Sequence, residues 1–434
     1  MNDIAGIPYF RAEFDINGQL KAPVALPADV TEVIVMSHGW NNNQADAESL
    51  YQGLFTNFAA IGGVPQGGKA AIIGVLWPSK RFDELVAASA SGNGGGGAAG
   101  IGSNASKESD AMLVRKLDDM KSFFTTDKQK KTLDELKTLL PDLQDKKSAQ
   151  RQFVEKVRSL LDPGAANDED ASSAFFKDDG AEIMERLEID EEDFDDTITG
   201  DAAGAASLPL GVGVVKPATG GAAGIFGFLS KAKAAAMNVL NFTTYYEMKA
   251  RAGKVGANGV AKLIDSLPAH VQRIHLVGHS FGGRVVTAAA ASSTTDRIRS
   301  MSLLQTAFSH HGFSKLKKGF FRAVVDKKRV NGPIVVTHSV KDKAVGIAYP
   351  MASRLNGDTT SGLGDKNDKF GGIGRNGAQQ MEAGEAVDGK MLTAGGAYQF
   401  QPGVIFNLQA DDLIPGHSDI TGKEVAHAIR SAMG

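Results

Sequence analysis

The chain has 434 residues, a formal net charge of -3 and no cysteine, which excludes disulfides, thiolate metal sites and cysteine nucleophiles. This near-neutral balance gives no global attraction to nucleic acid or to an anionic membrane. Hydrophobic residues make up 42% of the chain and charged residues 22%, as in an ordinary globular protein. The length allows one large core with a sizeable insertion, or two domains.

No targeting or membrane-spanning segment is predicted. The N-terminus lacks a basic stretch followed by an apolar one. The most apolar region, residues 202–230, is interrupted by prolines, a lysine and many glycines, so it does not resemble a transmembrane helix. We therefore expect a cytoplasmic protein, with signal-less export as an effector left open. Residues 202–230 could still make peripheral contact with a lipid surface, or could be a plain linker.

Buried strands and a helix alternate over the first 80 residues. A strand pair is predicted over residues 8–26, with Asn17-Gly18 as its hairpin turn. Apolar runs at residues 32–40 and 70–78 indicate two more strands, and helical spacing predicts a helix over residues 46–58. Strands that are apolar throughout and alternate with helices favour an α/β fold, with a mostly parallel twisted sheet covered on both faces.

The alternating pattern stops between residues 81 and 232. This region contains a glycine-rich linker, three predicted helices, an acidic run and an apolar segment, at residues 89–106, 108–124, 130–140, 148–161, 168–196 and 202–230. We interpret residues 81–232 as one helical insertion, and residues 1–80 and 233–434 as the core. The insertion could act as a cap or lid, or as an interaction module.

The α/β pattern resumes after residue 232 with a long helical region. The elements predicted after it are strands, helices and one long polar loop, at residues 273–278, 281–291, 300–306, 313–325, 333–338, 356–395 and 398–410. Thr421 and Glu424 predict a capping box for a terminal helix. In a parallel sheet the carboxyl ends of the strands meet at one edge, where sites form.

A serine lies at one of these strand ends. The segment Gly278-His279-Ser280-Phe281-Gly282 follows a predicted strand, opens a predicted helix and matches the G-x-S-x-G nucleophile elbow. In such a turn the serine adopts a strained conformation, and the flanking glycines permit close approach. The alternative is a glycine-rich corner in which Ser280 only caps the helix.

An oxyanion hole requires two backbone amides near that serine. The amide of Phe281 follows Ser280, and the amide of Trp40 lies at the end of an early strand in "SHGW". In the same turn, His38 is interpreted as a structural hydrogen-bonding residue rather than a base. Asn41 could contact substrate, or it could be present only because asparagine favours turns. His279 and His310 are two further candidates for substrate contact, along with His38.

A base and an orienting acid complete the predicted site. Asp342 follows the strand at residues 333–338 and is the candidate acid, and His417 lies between the last strand and the terminal helix and is the candidate base. The competing residues are Asp365, Asp368, Asp411 and Asp412 for the acid, and His310 and His311 for the base.

The segments "SHGW", "GHSFGG", "SVKDKAVG" and "GHSDI" resemble bacterial α/β-hydrolases of the serine esterase and lipase type. The resemblance covers roughly residues 5–80 and 233–434, but not the insertion. It implies an α/β-hydrolase fold, and an acyl-enzyme on Ser280 that water hydrolyses. It also implies an oxyanion hole formed by the amides of Trp40 and Phe281.

We therefore expect a serine hydrolase that cleaves carboxylic esters of small molecules or lipids. Two alternatives stay open: a catalytically silent scaffold that binds a protein partner through the insertion, and an acyltransferase that uses the same triad. No metal, cofactor or nucleic-acid partner is expected. The G-x-G-x-x-G match at residues 372–377 lacks a preceding strand, and the acidic runs lack EF-hand spacing.

Overall fold

The computed structural model describes residues 3–63, 69–79, 103–168, 171–188, 230–342, 345, 352, 355–356 and 366–434. Its strands are β1 (Asp3–Ile4), β2 (Ile7–Glu13), β3 (Glu32–Ser37), β4 (Ala70–Leu76), β5 (Arg273–His279), β6 (Ile298–Leu304), β7 (Ile334–His338), β8 (Ala386–Lys390) and β9 (Ile405–Gln409). They form one nine-stranded sheet in the order β1-β2-β4-β3-β5-β6-β7-β9-β8. Only β1 and β2 pair antiparallel, so the predicted α/β class with a mostly parallel sheet is confirmed.

Helices surround this sheet. In chain order they are α1 (Gln44–Ala60), α2 (Ser103–Met120), α3 (Asp127–Lys137), α4 (Lys147–Arg158), α5 (Ser172–Lys177), α6 (Gly180–Arg186), α7 (Lys231–Lys254), α8 (Ala261–Ser266), α9 (Phe281–Ser292), α10 (Arg322–Asp326), α11 (Ile373–Asn376) and α12 (Lys423–Met433). A π-helical turn, Val255–Val260, joins α7 to α8. No helix in the described ranges is both long enough and apolar enough to cross a bilayer.

Alternate side chains of each strand enter two separate cores, because successive residues of a strand point to opposite faces. In β3, Val33 and Val35 pack with α7 and α9, whereas Ile34 and Met36 pack with α1 and α12. All four side chains are fully buried. Residues 33–36 of β3 and all of β4 are therefore apolar, as expected for central strands of a parallel sheet with helices on both faces.

The five helices α2 to α6 lie between β4 and β5 in the chain. Their buried side chains, such as Leu117, Phe153 and Phe175, belong to the same core as α7 and one face of the sheet. The division into a core (residues 1–80 and 233–434) and an insertion (residues 81–232) stays a prediction. Nearly all of the apolar segment at 202–230 lies outside the described residues.

Several predicted elements differ from the structure. The second strand of the predicted hairpin is reduced to a single bridge between Phe14 and Leu20. One reason is that the carboxylate of Asp15 accepts hydrogen bonds from the backbone of Asn17 and Gln19, at 2.9 and 2.8 Å, which favours a local turn over a strand.

The predicted capping box is also wrong. Gly422, not Thr421, is the N-cap of α12, and no side chain caps this helix. The backbone oxygen of Thr421 instead accepts a hydrogen bond from the Asn57 side chain at 2.8 Å. In place of the predicted helix over residues 313–325 the structure has only the short helix α10. The last strand, predicted over residues 398–410, is limited to β9. The predicted polar loop at residues 356–395 contains the strand β8.

Candidate active site

Ser280 lies in a strained turn between β5 and α9. Its backbone angles are φ 55° and ψ -125°, in a region that residues with a Cβ rarely adopt. The neighbouring strand holds this turn, since the Ser280 amide donates to Leu304 O at 3.1 Å and the Ala307 amide donates to Ser280 O at 3.1 Å. Such strain persists only where the surroundings enforce it, and it clusters at functional sites.

The glycines around Ser280 are required by close backbone contacts. A Cβ at Gly278 would lie 2.5 Å from Gly282 O, and a Cβ at Gly282 would lie 2.0 Å from Ser37 O. A Cβ at Gly283 would lie 2.0 Å from the Thr306 hydroxyl oxygen. The helix after Ser280 therefore packs directly on the ends of β3 and β6, which fixes where the serine side chain points.

The turn after β3 lies against the same serine. A Cβ at Gly39 would lie 2.7 Å from Ser280 Cβ and 3.2 Å from Ser280 Oγ, so this position tolerates only glycine. The rings of Trp40 and Phe281 pack with their centroids 5.9 Å apart. Residues 40 and 281 thus contact each other and follow two different strands, β3 and β5, while the oxyanion hole stays a prediction.

His38 occupies a structural position in that turn. Its Nδ1 donates to Gly39 O at 2.9 Å, and its Nε2 accepts from the Trp77 backbone at 3.3 Å. The ring stacks on the indole of Trp77 with centroids 5.7 Å apart. Burial lowers the pKa of His38 to about 4, so the imidazole stays neutral at ordinary pH. These hydrogen bonds stabilise the conformation of the turn.

Asp342 and His417 form a hydrogen-bonded pair at neighbouring strand ends. His417 Nδ1 lies 2.8 Å from Asp342 Oδ2 and 3.0 Å from Oδ1. Asp342 follows β7 and His417 follows β9, and these strands pair in the sheet. Because Nδ1 faces a carboxylate, it holds the proton. Nε2 is then left as the unprotonated nitrogen that a general base needs.

The carboxylate of Asp342 is fully buried and is satisfied by other donors. Its Oδ1 accepts from the Val345 amide at 3.0 Å, and its Oδ2 accepts from Gln305 Nε2 at 3.3 Å. Gln305 follows β6 in a left-handed conformation, with φ 43°, and its Oε1 accepts from the Thr337 hydroxyl at 3.0 Å. Gln305 was not among the predicted site residues; its only sequence signal is that it directly follows the apolar pair Leu303-Leu304 at the end of β6.

His279 connects the elbow to the loop of the candidate base. Its Nε2 donates to the backbone oxygen of His417 at 2.8 Å, and the two rings lie 4.9 Å apart. Burial, with a smaller contribution from the nearby His417, lowers the pKa of His279 to about 3. His279 is 4% exposed, so the structure places it between Ser280 and His417 rather than on an open substrate surface.

Comparisons with known proteins give no relative. No protein-family model matches the chain, and no curated protein or solved structure matches it significantly. A function for this chain therefore has to be inferred from the geometry of the site.

His310 and His311 belong to a separate cluster. Their rings lie 4.0 Å apart, and Asn376 donates to His310 Nδ1 at 3.2 Å. The His310 amide also donates to Gly371 O at 2.7 Å. Burial lowers the pKa of His310 to about 3 and that of His311 to about 4. Neither pairs with Asp342, so the structure does not bring these two competing bases to the acid.

The other candidate residues lie around this site or away from it. Asn41 has φ 64° and its amide donates to Ser79 O at 2.8 Å, which places it in the turn at the rim. Asp411 accepts from the Val340 amide at 2.9 Å, and Asp368 accepts from the Phe370 amide at 3.2 Å. Asp412 is exposed, and Asp365 lies outside the described residues.

The glycine-rich motif at residues 372–377 has a structural explanation. The segment with G-x-G-x-x-G spacing forms the four-residue helix α11, where a Cβ at Gly374 would lie 2.4 Å from the carbonyl carbon of Gln305. This glycine is therefore needed for packing. Within the described ranges, no group of three or more histidine and acidic side chains could hold a metal ion.

Proposed function

We propose that this chain is an α/β-hydrolase that hydrolyses carboxylic esters through an acyl-enzyme on Ser280. One observation supports the proposal most. A strained serine at the β5–α9 junction shares one edge of a parallel sheet with an Asp–His pair joined at 2.8 Å. A serine that only caps a helix does not require φ 55°, closely packed glycines and a nearby histidine paired with a buried aspartate all together.

The order of the residues along the chain and across the sheet agrees with this proposal. The serine follows β5, the acid follows β7 and the base follows β9, giving the order Ser, Asp, His that α/β-hydrolases use. The second oxyanion amide of that fold comes from the turn after an early strand, and the Gly39–Trp40 turn after β3 occupies this place.

The proposed reaction has two steps. His417 Nε2 accepts the Ser280 proton while Oγ attacks the ester carbonyl, and His417 then protonates the leaving alcohol. The amides of Trp40 and Phe281 stabilise the oxyanion of each tetrahedral intermediate. In the second step His417 deprotonates a water that attacks the acyl carbonyl; the bond to Oγ then breaks, the acid leaves, and His417 returns the proton to Ser280 Oγ. Asp342 holds the imidazole in its tautomer throughout.

The helices before α7 are proposed to form a cap over the substrate pocket. Support comes from α7, whose Tyr245 packs on the ring of Phe281 with centroids 5.4 Å apart. Phe175 of α5 packs in turn on Phe242 of α7, at 4.9 Å. Helix α7 thus makes aromatic contacts both with α5 of the insertion and with Phe281, the residue next to the proposed nucleophile.

A fluorophosphonate probe tests the proposed nucleophile. We expect covalent labelling of the wild-type protein, none of Ser280→Ala, and full labelling of the control Ser266→Ala. Asp342→Asn should lower kcat for ester hydrolysis by about 10⁴, because the imidazole adopts the wrong tautomer. Equal labelling of wild type and Ser280→Ala would refute the proposed function.

The ester class is tested with p-nitrophenyl esters of graded acyl length, together with phospholipid. Activity on long-chain esters and lipid would favour a lipase, whereas activity on acetyl and butyryl esters alone would exclude that version. Adding a competing alcohol separates hydrolysis from acyl transfer, since an acyltransferase would form the new ester instead of the free acid.

A further inference from the structure

The loop between β6 and α10 projects a small apolar and basic surface, residues 315–320, which we name the basic tip. Its sequence is Lys-Leu-Lys-Lys-Gly-Phe. Leu316 is 72% exposed and Phe320 is 54% exposed, and they stand four positions apart among three lysines. Single exposed apolar residues are common, but two large ones in one short loop are unusual enough to require an explanation.

The base of this loop is fixed, so the exposure of its tip is not that of a frayed segment. Phe313 and Phe321 are buried and pack on the ring of Phe308, with centroids 5.6 and 5.0 Å apart. The Phe321 amide donates to Gly312 O at 2.8 Å, which closes the loop. Both ends of the loop are therefore fixed to the core, and Leu316 between them is exposed to water.

The charge of the basic tip opposes that of the whole chain. The tip contains three lysines and no acid, although the chain has a net charge of -3. Lys315 pairs with Glu382 at 3.2 Å, but within the described residues no carboxylate lies at ion-pair distance from Lys317 or Lys318. Two positive charges are thus available for an anionic partner.

We propose that the basic tip docks on the surface of an anionic phospholipid bilayer. Leucine and phenylalanine can insert at the boundary between headgroups and acyl chains, while lysine stems extend their ammonium groups to lipid phosphates. The cores of protein–protein interfaces are depleted in lysine, so a lysine-rich tip fits a lipid surface better than an acidic protein.

The basic tip contacts the helix that follows the proposed nucleophile. The guanidinium of Arg284 stacks under the ring of Phe320, 4.9 Å from its centroid. Arg284 is in the first turn of α9, the helix that begins directly after Ser280. Docking through the tip would therefore bring this side of the sheet edge towards the lipid. The docking itself does not depend on the proposed catalysis.

Vesicle co-sedimentation of the full chain tests this proposal. The Ser280→Ala variant is used so that no lipid can be hydrolysed. It is mixed with vesicles of phosphatidylcholine, with or without one third phosphatidylglycerol. We expect binding to the anionic vesicles that weakens as salt is added. Lys317→Gln with Lys318→Gln should weaken partitioning roughly 25-fold, because each lysine near the surface contributes about fivefold. Leu316→Ser should weaken it about tenfold.

Matched controls use exposed residues elsewhere. Lys128→Gln with Lys130→Gln removes the same charge from α3, and Ile16→Ser removes an exposed apolar side chain from a turn. These variants should bind as the parent does. Equal binding to neutral vesicles, no binding to anionic ones, or unchanged binding by the tip variants would each overturn the proposal. The proposed ester hydrolysis is measured separately, so its failure would leave this result standing.

Discussion

At the scale of single residues, His279 makes a contact that the sequence did not predict. It was a candidate for substrate contact, but its Nε2 donates to the backbone of His417. Its Nδ1 is buried and has no hydrogen-bond partner in the described part of the chain. We expect this buried, neutral imidazole to act as a positioning residue that sets the distance between the turn at Ser280 and the loop of His417.

Two substitutions at His279 test this positioning role, given the proposed activity. Glutamine retains an amide donor near the place of Nε2, whereas phenylalanine retains the ring but not the donor. We expect His279→Phe to lower kcat roughly 10- to 100-fold with little change in KM, because small misplacements of a base are costly. His279→Gln should recover most of kcat. If both variants lose thermal stability equally and keep kcat, His279 has only a structural role.

The candidate site was predictable where short motifs meet strand ends. Ser280 had its elbow motif, and Asp342 and His417 followed strands that the apolar pattern had located. The contribution of Gln305 was not predictable, because it depends on a left-handed backbone and on a hydrogen bond to Asp342, 37 positions away. Long-range contacts of this kind leave no local pattern in the sequence.

At the scale of elements, the π-helical turn before α8 packs unusually close to α9. A Cβ at Gly256 would lie 2.2 Å from Val285 O and 2.7 Å from Ala288 Cβ. Gly253, one turn earlier, has space: the nearest atom to its Cβ would be Arg284 Nε, at 3.8 Å. Substitutions at these two glycines therefore distinguish the effect of helix propensity, at Gly253, from the effect of close packing, at Gly256.

We expect opposite effects from alanine at these two positions. Gly253→Ala should stabilise the protein by up to about 1 kcal/mol, since alanine is the better helix former. Gly256→Ala should destabilise it by about 1–3 kcal/mol, because its methyl group pushes α9 away from the turn. Urea unfolding measures both. Equal stabilisation by the two substitutions would contradict the close packing of α9.

The elements that sequence analysis missed were those with weak apolar patterns. Strand β8, with the sequence Ala-Val-Asp-Gly-Lys, is largely exposed and contains two charged residues, so it resembles a loop. The strands β3, β4 and β5 are buried at nearly every position and were located within a few residues of their ends. Apolar runs identify central strands, whereas an edge strand depends on a neighbour that the local sequence does not reveal.

At the scale of the whole molecule, buried neutral histidines couple stability to pH. Burial lowers the pKa to about 4 for His38, and to about 3 for His279 and His310. The unfolded chain binds protons at these residues below about pH 6.5, whereas the folded chain does not. Stability is therefore full above that pH and falls as the pH drops towards the folded pKa values.

We expect the free energy of unfolding to fall between pH 6.5 and pH 5. Each buried histidine contributes a slope of about 1.4 kcal/mol per pH unit, so three of them make the loss steep. Urea unfolding at both pH values measures it, and His310→Gln should reduce the slope by one histidine's share. A free energy that stays constant over this interval would mean that these imidazoles become protonated in the folded protein.

The α/β class itself followed from the alternation of buried strands with helices, and the sheet confirms it. The assignment to α/β-hydrolases and the role of the insertion as a cap stay proposals. Alternation fixes the class because parallel strands need helical connections, but many functions share such sheets. Chemistry at the strand ends, not the sheet, has to decide between them.

Strand β8 has one more effect on the molecule. It covers the outer side of β9, the strand that precedes His417, and its Asp388 accepts a hydrogen bond from Asn407 of β9 at 2.8 Å. The edge that remains is only five residues long and ends in Lys390. Short, charged edges are poor templates for pairing with another chain. β8 thus protects the side of the sheet that carries His417 from strand addition and aggregation.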